Sequence, residues 1–346
     1  KKMKKNLQNA LVLAMGLMTT VSFAQDWNAD SRTRIDMSGG VDNAKTDKMS
    51  TSQRATLGYT YGGSDWGIHA STNVNYTLGT DATGAQNAAN ISVYEAYAST
   101  DLMGFGTLTV GRQDLSFGSG ALISSDEWGW GKRYTTDGLD FAASFGGIDI
   151  NAGTMSGINA NSNYVNAGGS FAGVSVNLLM IDNKEVKSHG YDFGYSMMDG
   201  ALTLSYSMND DGLGSEMTEM GGSYNVFENM SINASMRSYE GDDTWHSFTA
   251  PNSAWSEGLY AGEVMHQDNG TEILSYGLTY NLGDISLGYD MHTMSEDGYY
   301  DLELTDMSIS YRLNDNCTLG YRAFQVGSLI QDSGTVVDAV DWNYIT

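Results

Sequence analysis

Stretches of about ten residues in which every second residue is apolar recur from Trp27 almost to the C-terminus, separated alternately by tight turns and by longer polar connections. A period of two is the period of a β-strand, whose successive side chains leave on opposite faces. The stretch beginning at Ile68 shows it most cleanly. Ile68, Ala70, Thr72, Val74, Tyr76 and Leu78 fall on one face, and His69, Ser71, Asn73, Asn75 and Thr77 on the other. One face suits hydrocarbon and the other suits water. A tilted strand crosses the hydrocarbon of a bilayer in about 9 to 11 residues, and a closed barrel leaves no strand edge unpaired in that medium. The pattern therefore predicts an all-β fold, a transmembrane antiparallel β-barrel.

The first two dozen residues read differently. Lys1, Lys2, Lys4 and Lys5 form a basic start, residues 11–18 are an apolar run, and Ser22-Phe23-Ala24 has the small-x-small pattern of a signal peptidase site. Residues 1–24 thus read as an export signal and 25–346 as one barrel domain. The apolar run is shorter than the ~20 residues of a membrane-spanning helix. Removing the signal takes away four lysines and no acid, leaving 13 Lys plus Arg against 42 Asp plus Glu and a formal charge of −29. Such a balance excludes nucleic acid as a partner. The acids gather between strands, at Asn209-Asp210-Asp211, residues 240–243 and Glu296-Asp297, as the wet rims of a barrel require. Pro251 is the only proline, so it interrupts no strand ladder, and 21 tyrosines with 7 tryptophans supply the residues that sit at membrane interfaces. Cys317 is the lone cysteine, which excludes an intrachain disulfide.

Pairing the alternating runs across short turns gives eight hairpins: 51–61 with 66–78, 90–100 with 105–113, 139–145 with 148–155, 164–171 with 174–181, 189–198 with 201–208, 217–226 with 230–239, 272–281 with 285–294, and 302–312 with 317–325. A first strand over 27–38 and a last over 336–345 can pair and close the cylinder. The expected count is 18 strands, or 16 if two weaker runs continue their neighbours. A barrel of ~16 to 18 strands encloses an aqueous channel, whereas ~8 would be filled by its own side chains. Passage of solute is the function this architecture suggests.

One segment carries a more specific signal. Glu95-Ala96-Tyr97, followed by Gly104-Phe105-Gly106-Thr107-Leu108-Thr109-Val110-Gly111-Arg112-Gln113, resembles the E-A-Y and G-F-G-T-L-x-x-G-R-Q signature of Gram-negative outer-membrane porins. The continuation, Asp114-Leu115-Ser116-Phe117-Gly118 through Leu122-Ile123 to Trp128, is similar to the segment that follows in the alginate-export and related specific-porin group, which is built on 18 strands. The resemblance covers roughly residues 90–145. It implies that the loop over 114–136 folds into the barrel and narrows it, which makes Arg112, Asp114, Asp126, Glu127, Lys132 and Arg133 candidate constriction residues. Acids facing bases across a narrow gap would set a transverse field and sort solutes by charge. Arg112 shares the parity of Leu108 and Val110, so a bulge just before it or a place at the outer rim is needed to accommodate its charge. A polyanion channel should be rich in bases, and with 13 of them this chain departs from alginate export.

Strand parity nominates Glu95, Asp149, Asp192, Arg237 and Asp290 as further lumen-facing charges. The acid excess predicts a channel that prefers cations or neutral solutes. The alternatives are a substrate-specific sugar or amino-acid channel and a plugged barrel serving as a surface anchor or adhesin, with the aromatic-rich insertion 240–271 as plug. An enzyme is disfavoured, because none of His69, His189, His246, His266 and His292 stands in a Ser-His-acid or H-E-x-x-H spacing. No cofactor is expected. The acidic loops at Asp210, Asp211 and Glu216 and at Glu296, Asp297 and Asp301 offer oxygen ligands to calcium without matching an EF-hand, so the metal stays unassigned. The implied partners are outer-membrane lipid, lipopolysaccharide and small hydrophilic solutes, and both a monomer and a homotrimer fit the pattern.

Overall fold

The computed structural model describes residues 24–37, 50–79, 86–124, 135–156, 161–242, 248, 269–296, 300–327, 329–331, 336–337 and 340–346. The expected export signal lies outside them except for Ala24. Seventeen consecutive strands, each antiparallel to the next, form one sheet. They are β1 (Ala24–Asp36), β2 (Ser50–Gly62), β3 (Trp66–Thr77), β4 (Asn90–Asp101), β5 (Thr107–Gln113), β6 (Thr136–Phe145), β7 (Ile148–Ser156), β8 (Asn161–Phe171), β9 (Val174–Asp182), β10 (Lys187–Met197), β11 (Leu202–Asp210), β12 (Ser215–Phe227), β13 (Met230–Gly241), β14 (Thr271–Leu282), β15 (Ile285–Glu296), β16 (Tyr300–Asn314) and β17 (Cys317–Val326). The tight turns demand residues that tolerate positive φ. Between β6 and β7 both central residues, Gly146 and Gly147, have φ of 60° and 85°, the type I′ pattern that matches strand twist.

The C-terminal end is described in pieces. Val336–Val337 (β19) pairs with β18 (Leu329–Gln331) and Val340–Ile345 (β20) with β17, and both keep one register, from Ile330↔Val336 and Leu329↔Val337 through Val326↔Val340 to Tyr321↔Ile345, as expected of a last strand over 336–345. Seventeen strands of 7 to 15 residues are thus described along their length, and the six residues of β20 are the longest described piece of the segment expected as the eighteenth. On its far side β20 meets β1 at Ile35↔Ile345 and Asp36↔Tyr344.

The two faces of the sheet are inverted relative to a water-soluble protein. Ile68 is 49% exposed, while His69, Ser71 and Asn73 are each no more than 7% exposed. Leu57, Ile91, Val93, Val110, Val165, Leu204, Met220 and Ile232 repeat the exposed apolar positions from strand to strand. Arg34, Arg54, Asp140, Asn166, Ser207, Arg237, His292 and Asp306 repeat the buried polar ones. Burial of apolar surface is worth about 25 cal/mol per Å², so an apolar belt on this scale left in water would forgo much of the hydrophobic driving force. It is satisfied in hydrocarbon instead. No helix long and apolar enough to cross a membrane occurs among the described residues.

One apolar core lies on the polar face. Ile123, Tyr164 and Leu179 are buried together, with Leu115, Phe117, Leu122, Met155 and Ile181 packed against them. Four of these residues belong to the segment after β5, and the others to β7, β8 and β9. The loop that follows β5 has crossed the polar face to reach strands two to four positions along the sheet.

Candidate functional site

The inward loop is tethered at both ends of its described part. β4 carries a bulge: Ser71 pairs with Glu95 and Thr72 with Val93, which leaves Tyr94 as the extra residue. Tyr94 is buried, and its hydroxyl donates to Asp114 Oδ2 at 2.5 Å, fixing the start of the loop. Further along, the Ser119 N–H donates to Asp192 Oδ1 at 3.1 Å, and Asn209 Nδ2 donates to Ser119 Oγ at 3.2 Å. Asn177 Nδ2 donates to the same Asp192 carboxylate at 3.3 Å. Gly118 makes the approach feasible. Its φ is +57°, and a Cβ there would fall 1.8 Å from Asp192 Oδ2. Phe117 and Tyr164 bring their ring centroids to 5.4 Å, and the Tyr164 hydroxyl donates to Asp140 at 2.6 Å.

Beneath this loop the polar face forms a cavity of about 970 Å³. Asp149, Asp192 and Arg237, three of the residues nominated from parity, line it together with Glu219. Arg237 donates through Nε and Nη2 to Glu219 Oε2 at 2.8 and 2.6 Å, across the β12–β13 register pair Glu219↔Arg237. Glu95 lies apart on β4, where it accepts from the Ser71 hydroxyl and N–H···Oγ pairing ties the same two residues, with His69 Nε2 3.4 Å away. Asp290 on β15 stands opposite Asp306 on β16 and is not part of the cavity lining.

The loop candidates divide. Asp114 is exposed at the loop's start, whereas Asp126, Glu127, Lys132 and Arg133 lie outside the described residues. Arg112 is not with Asp114. The β4–β5 register runs unbroken through Ala98↔Val110 and Ala96↔Arg112, so no bulge precedes it and its side chain leaves on the apolar face, one residue from the end of β5. There Asp137 accepts from its Nε at 2.7 Å and Nη2 at 2.8 Å, and Val93 O accepts from Nη1. Its nomination as a constriction residue is corrected to a rim position, where a paired charge can reach water.

Parity reasoning overlooked a basic stripe. Arg32 and Arg34 on β1, Arg54 on β2 and Arg322 on β17 occupy the polar face, with Arg32 directly opposite Arg54. Arg54 Nη2 donates to Asp30 at 3.2 Å, and Arg322 Nε donates to both carboxylate oxygens of Asp306 at 2.9 and 2.8 Å. With Arg237, five of the seven arginines among the described residues share this face. The signal was present in the sequence, since Trp27, Ala29 and Ile35 fix the apolar parity of β1 and leave Arg32 and Arg34 on the other.

Among the described residues no group of three or more His, Cys, Asp or Glu side chains could hold a metal ion. In the 210–216 loop, Asp210 and Asp211 accept from backbone N–H groups of Gly212, Leu213 and Ser215, so these carboxylates shape the turn. Asp297 of the second acidic loop lies outside the described residues.

The architecture has solved counterparts. The chain is similar to OpdK of Pseudomonas aeruginosa, in a crystal structure with vanillate, at 14% identity and a TM-score of 0.65 over 92% of this chain and 97% of that one. It is similar to the outer membrane protein OprD from Pseudomonas aeruginosa at 12% identity and a TM-score of 0.62, covering 93% of this chain and 92% of that one. OccAB2 of Acinetobacter baumannii gives 12% identity and a TM-score of 0.65 over 92% and 96%. The chain has the fold of outer-membrane porins. At these identities the likeness carries the architecture and leaves solute and selectivity to this chain's own residues. No family model matches the sequence, and no curated protein matches it.

Proposed function

We propose that the protein is an outer-membrane β-barrel channel for passive diffusion of small hydrophilic solutes. The observation that carries this reading is the pairing of an inverted sheet, apolar outside and polar inside, with a loop folded onto its polar face. In this reading β20 closes the cylinder as an eighteenth strand through its pairs with β17 and β1, so the polar face is a lumen and the loop after β5 narrows it. The motif likeness to the alginate-export and specific-porin group supports that strand count.

Selectivity follows from the inner charges. Asp30, Asp36, Glu95, Asp140, Asp149, Asp192, Glu219, Asp290 and Asp306 outnumber the five inner arginines, which supports a preference for cations or neutral solutes. The arginines moderate it, because those of β17, β1 and β2 lie about half the sheet away from Asp149 and Asp192 and set a transverse field. That stripe supports a second reading, a specific channel for small carboxylates, in keeping with the vanillate of the OpdK structure. No bond is made or broken in either reading.

Swelling of proteoliposomes in isotonic solutes tests the proposal. Uncharged solutes should enter at rates that fall steeply with size, and vanillate should enter more slowly than a neutral solute of similar size. Vesicles that hold the inserted barrel and never swell would overturn diffusion, and a rate for vanillate well above its neutral counterpart would favour the carboxylate reading.

A further inference from the structure

The wall beneath the inward loop is hollowed in a way that strand packing does not require. Two adjacent rows of inward positions run across it. One reads Gly168, Asn177, Asp192, Ser207, Glu219 and Arg237 on β8 to β13. The next, one step towards the tight turns, reads Ser170, Ser175, Gly194, Ser205, Gly221, Ser235 and Ser275, so that seven neighbouring strands present nothing larger than serine. Glycine inside a strand weakens it and marks a place where another group approaches closely. At Gly190 the inward loop takes part, since a Cβ there would lie 2.8 Å from Asn209 Oδ1 of the wall and 3.4 Å from Leu122 Cδ1 of the loop. At Gly168 and Gly194 it does not: the nearest atoms all belong to the wall itself, and both glycines line the 970 Å³ cavity. This volume is that of a small-molecule site.

A second observation points to a ligand. Asn166 lines the cavity and is 6% exposed, yet its Oδ1 has no hydrogen-bond partner among the described residues. A buried amide oxygen left without a donor costs about 1–3 kcal/mol, and a native structure keeps such a group for a reason. Around it the lining is hydroxyl, amide and carboxylate: Ser119, Asn151, Asn177, Ser207, Asp192 and Glu219. Phe117, on the loop, gives this polar floor an apolar edge.

The charges decide the class of ligand. Arg237 is the only base in the lining and is already engaged by Glu219, so an anion entering would meet Asp149, Asp192 and Glu219 with no free cation to receive it. A compact cation would use acceptors alone and leave the serine hydroxyls and asparagine amides without a role. A ring bearing several hydroxyl groups uses both, donating to the carboxylates and to Asn166 Oδ1 and accepting from the amides, while its C–H face rests on Phe117. We propose that this cavity is a saccharide or polyol subsite of the channel. The inference rests on the diffusion reading above.

The test is current block of single channels in a planar bilayer, with glucose or maltose added to one side and with ethylenediamine and vanillate as charged comparators. The expected result is concentration-dependent, saturable block by the sugars. Ser205→Leu, which places a bulky side chain at an exposed position of the floor, should raise the half-blocking sugar concentration at least tenfold, and Asn166→Ala should raise it severalfold. Ser205 points into open space, so folding is not at issue for that variant. Open channels that sugars do not block, or sugar block unchanged in both variants, would overturn the subsite and leave the channel standing. Block by ethylenediamine or vanillate in place of sugar would overturn its chemical class. Absence of any conductance would sink the diffusion reading itself.

Discussion

At the scale of single residues, burial decides which charges matter. Arg237 has a side chain 8% exposed against a Glu219 carboxylate 25% exposed, whereas Arg112 and Asp137 are 39% and 50% exposed. Removing one member of a buried pair leaves an uncompensated charge, which costs about 3–5 kcal/mol. An exposed pair is worth about 0–1 kcal/mol. Arg237→Leu should therefore lower the unfolding temperature of the detergent-solubilised barrel sharply and shift channel selectivity towards cations. Arg112→Ala should change neither measurably. Heat-modified gel mobility and reversal potential read both effects, and a large selectivity change in Arg112→Ala would contradict its place on the outer rim. Arg112 also shows how far the sequence could be read. Its parity was plain, and so was the conflict between a charge and an apolar face. The resolving partner, Asp137, stands 25 positions away on the next strand, and only register brings them together.

Among the elements, the strands were legible because a period of two needs no long-range information. The extents of β2, β3, β4, β7 and β9 follow the alternation to within a residue. The misreadings come where another force acts. Residues 336–345 are not among them: they alternate as one strand, and their described parts, Val336–Val337 and Val340–Ile345, share one register against residues 321–330. The Tyr94 bulge was invisible, since an extra residue shows only against its partner strand. The inward loop was indicated by family resemblance, yet its anchors on β8 to β11 were not, because the pairs Ser119–Asp192 and Ser119–Asn209 are 73 and 90 positions apart. Those anchors make the loop the mechanical element of the channel. Gly118→Ala would force a Cβ into the Asp192 carboxylate from a backbone conformation that disfavours alanine, and should detach this part of the loop. Single-channel records should then show larger and noisier openings than the parent. Ile123→Ala removes a buried side chain from the loop's apolar anchor at a cost of about 2–5 kcal/mol and should act in the same direction. Unaltered conductance in both variants would mean that the loop does not define the narrow point.

For the molecule as a whole, net charge proved a poor guide to the interior. A formal excess of 25 acids describes the full chain, while five of the seven arginines among the described residues are drawn to the polar face, Arg54, Arg237 and Arg322 of them directly against an acid on a neighbouring strand. The polar interior and apolar exterior together are what a bilayer demands of a sheet, and the central claim is that the polar face encloses water. Conductance and reversal potential of the purified protein in a planar bilayer under a potassium chloride gradient test this most directly. The account predicts stable open steps, with a reversal potential displaced modestly towards that of potassium. Protein that inserts and stays silent would contradict it, and would make the barrel a plugged anchor.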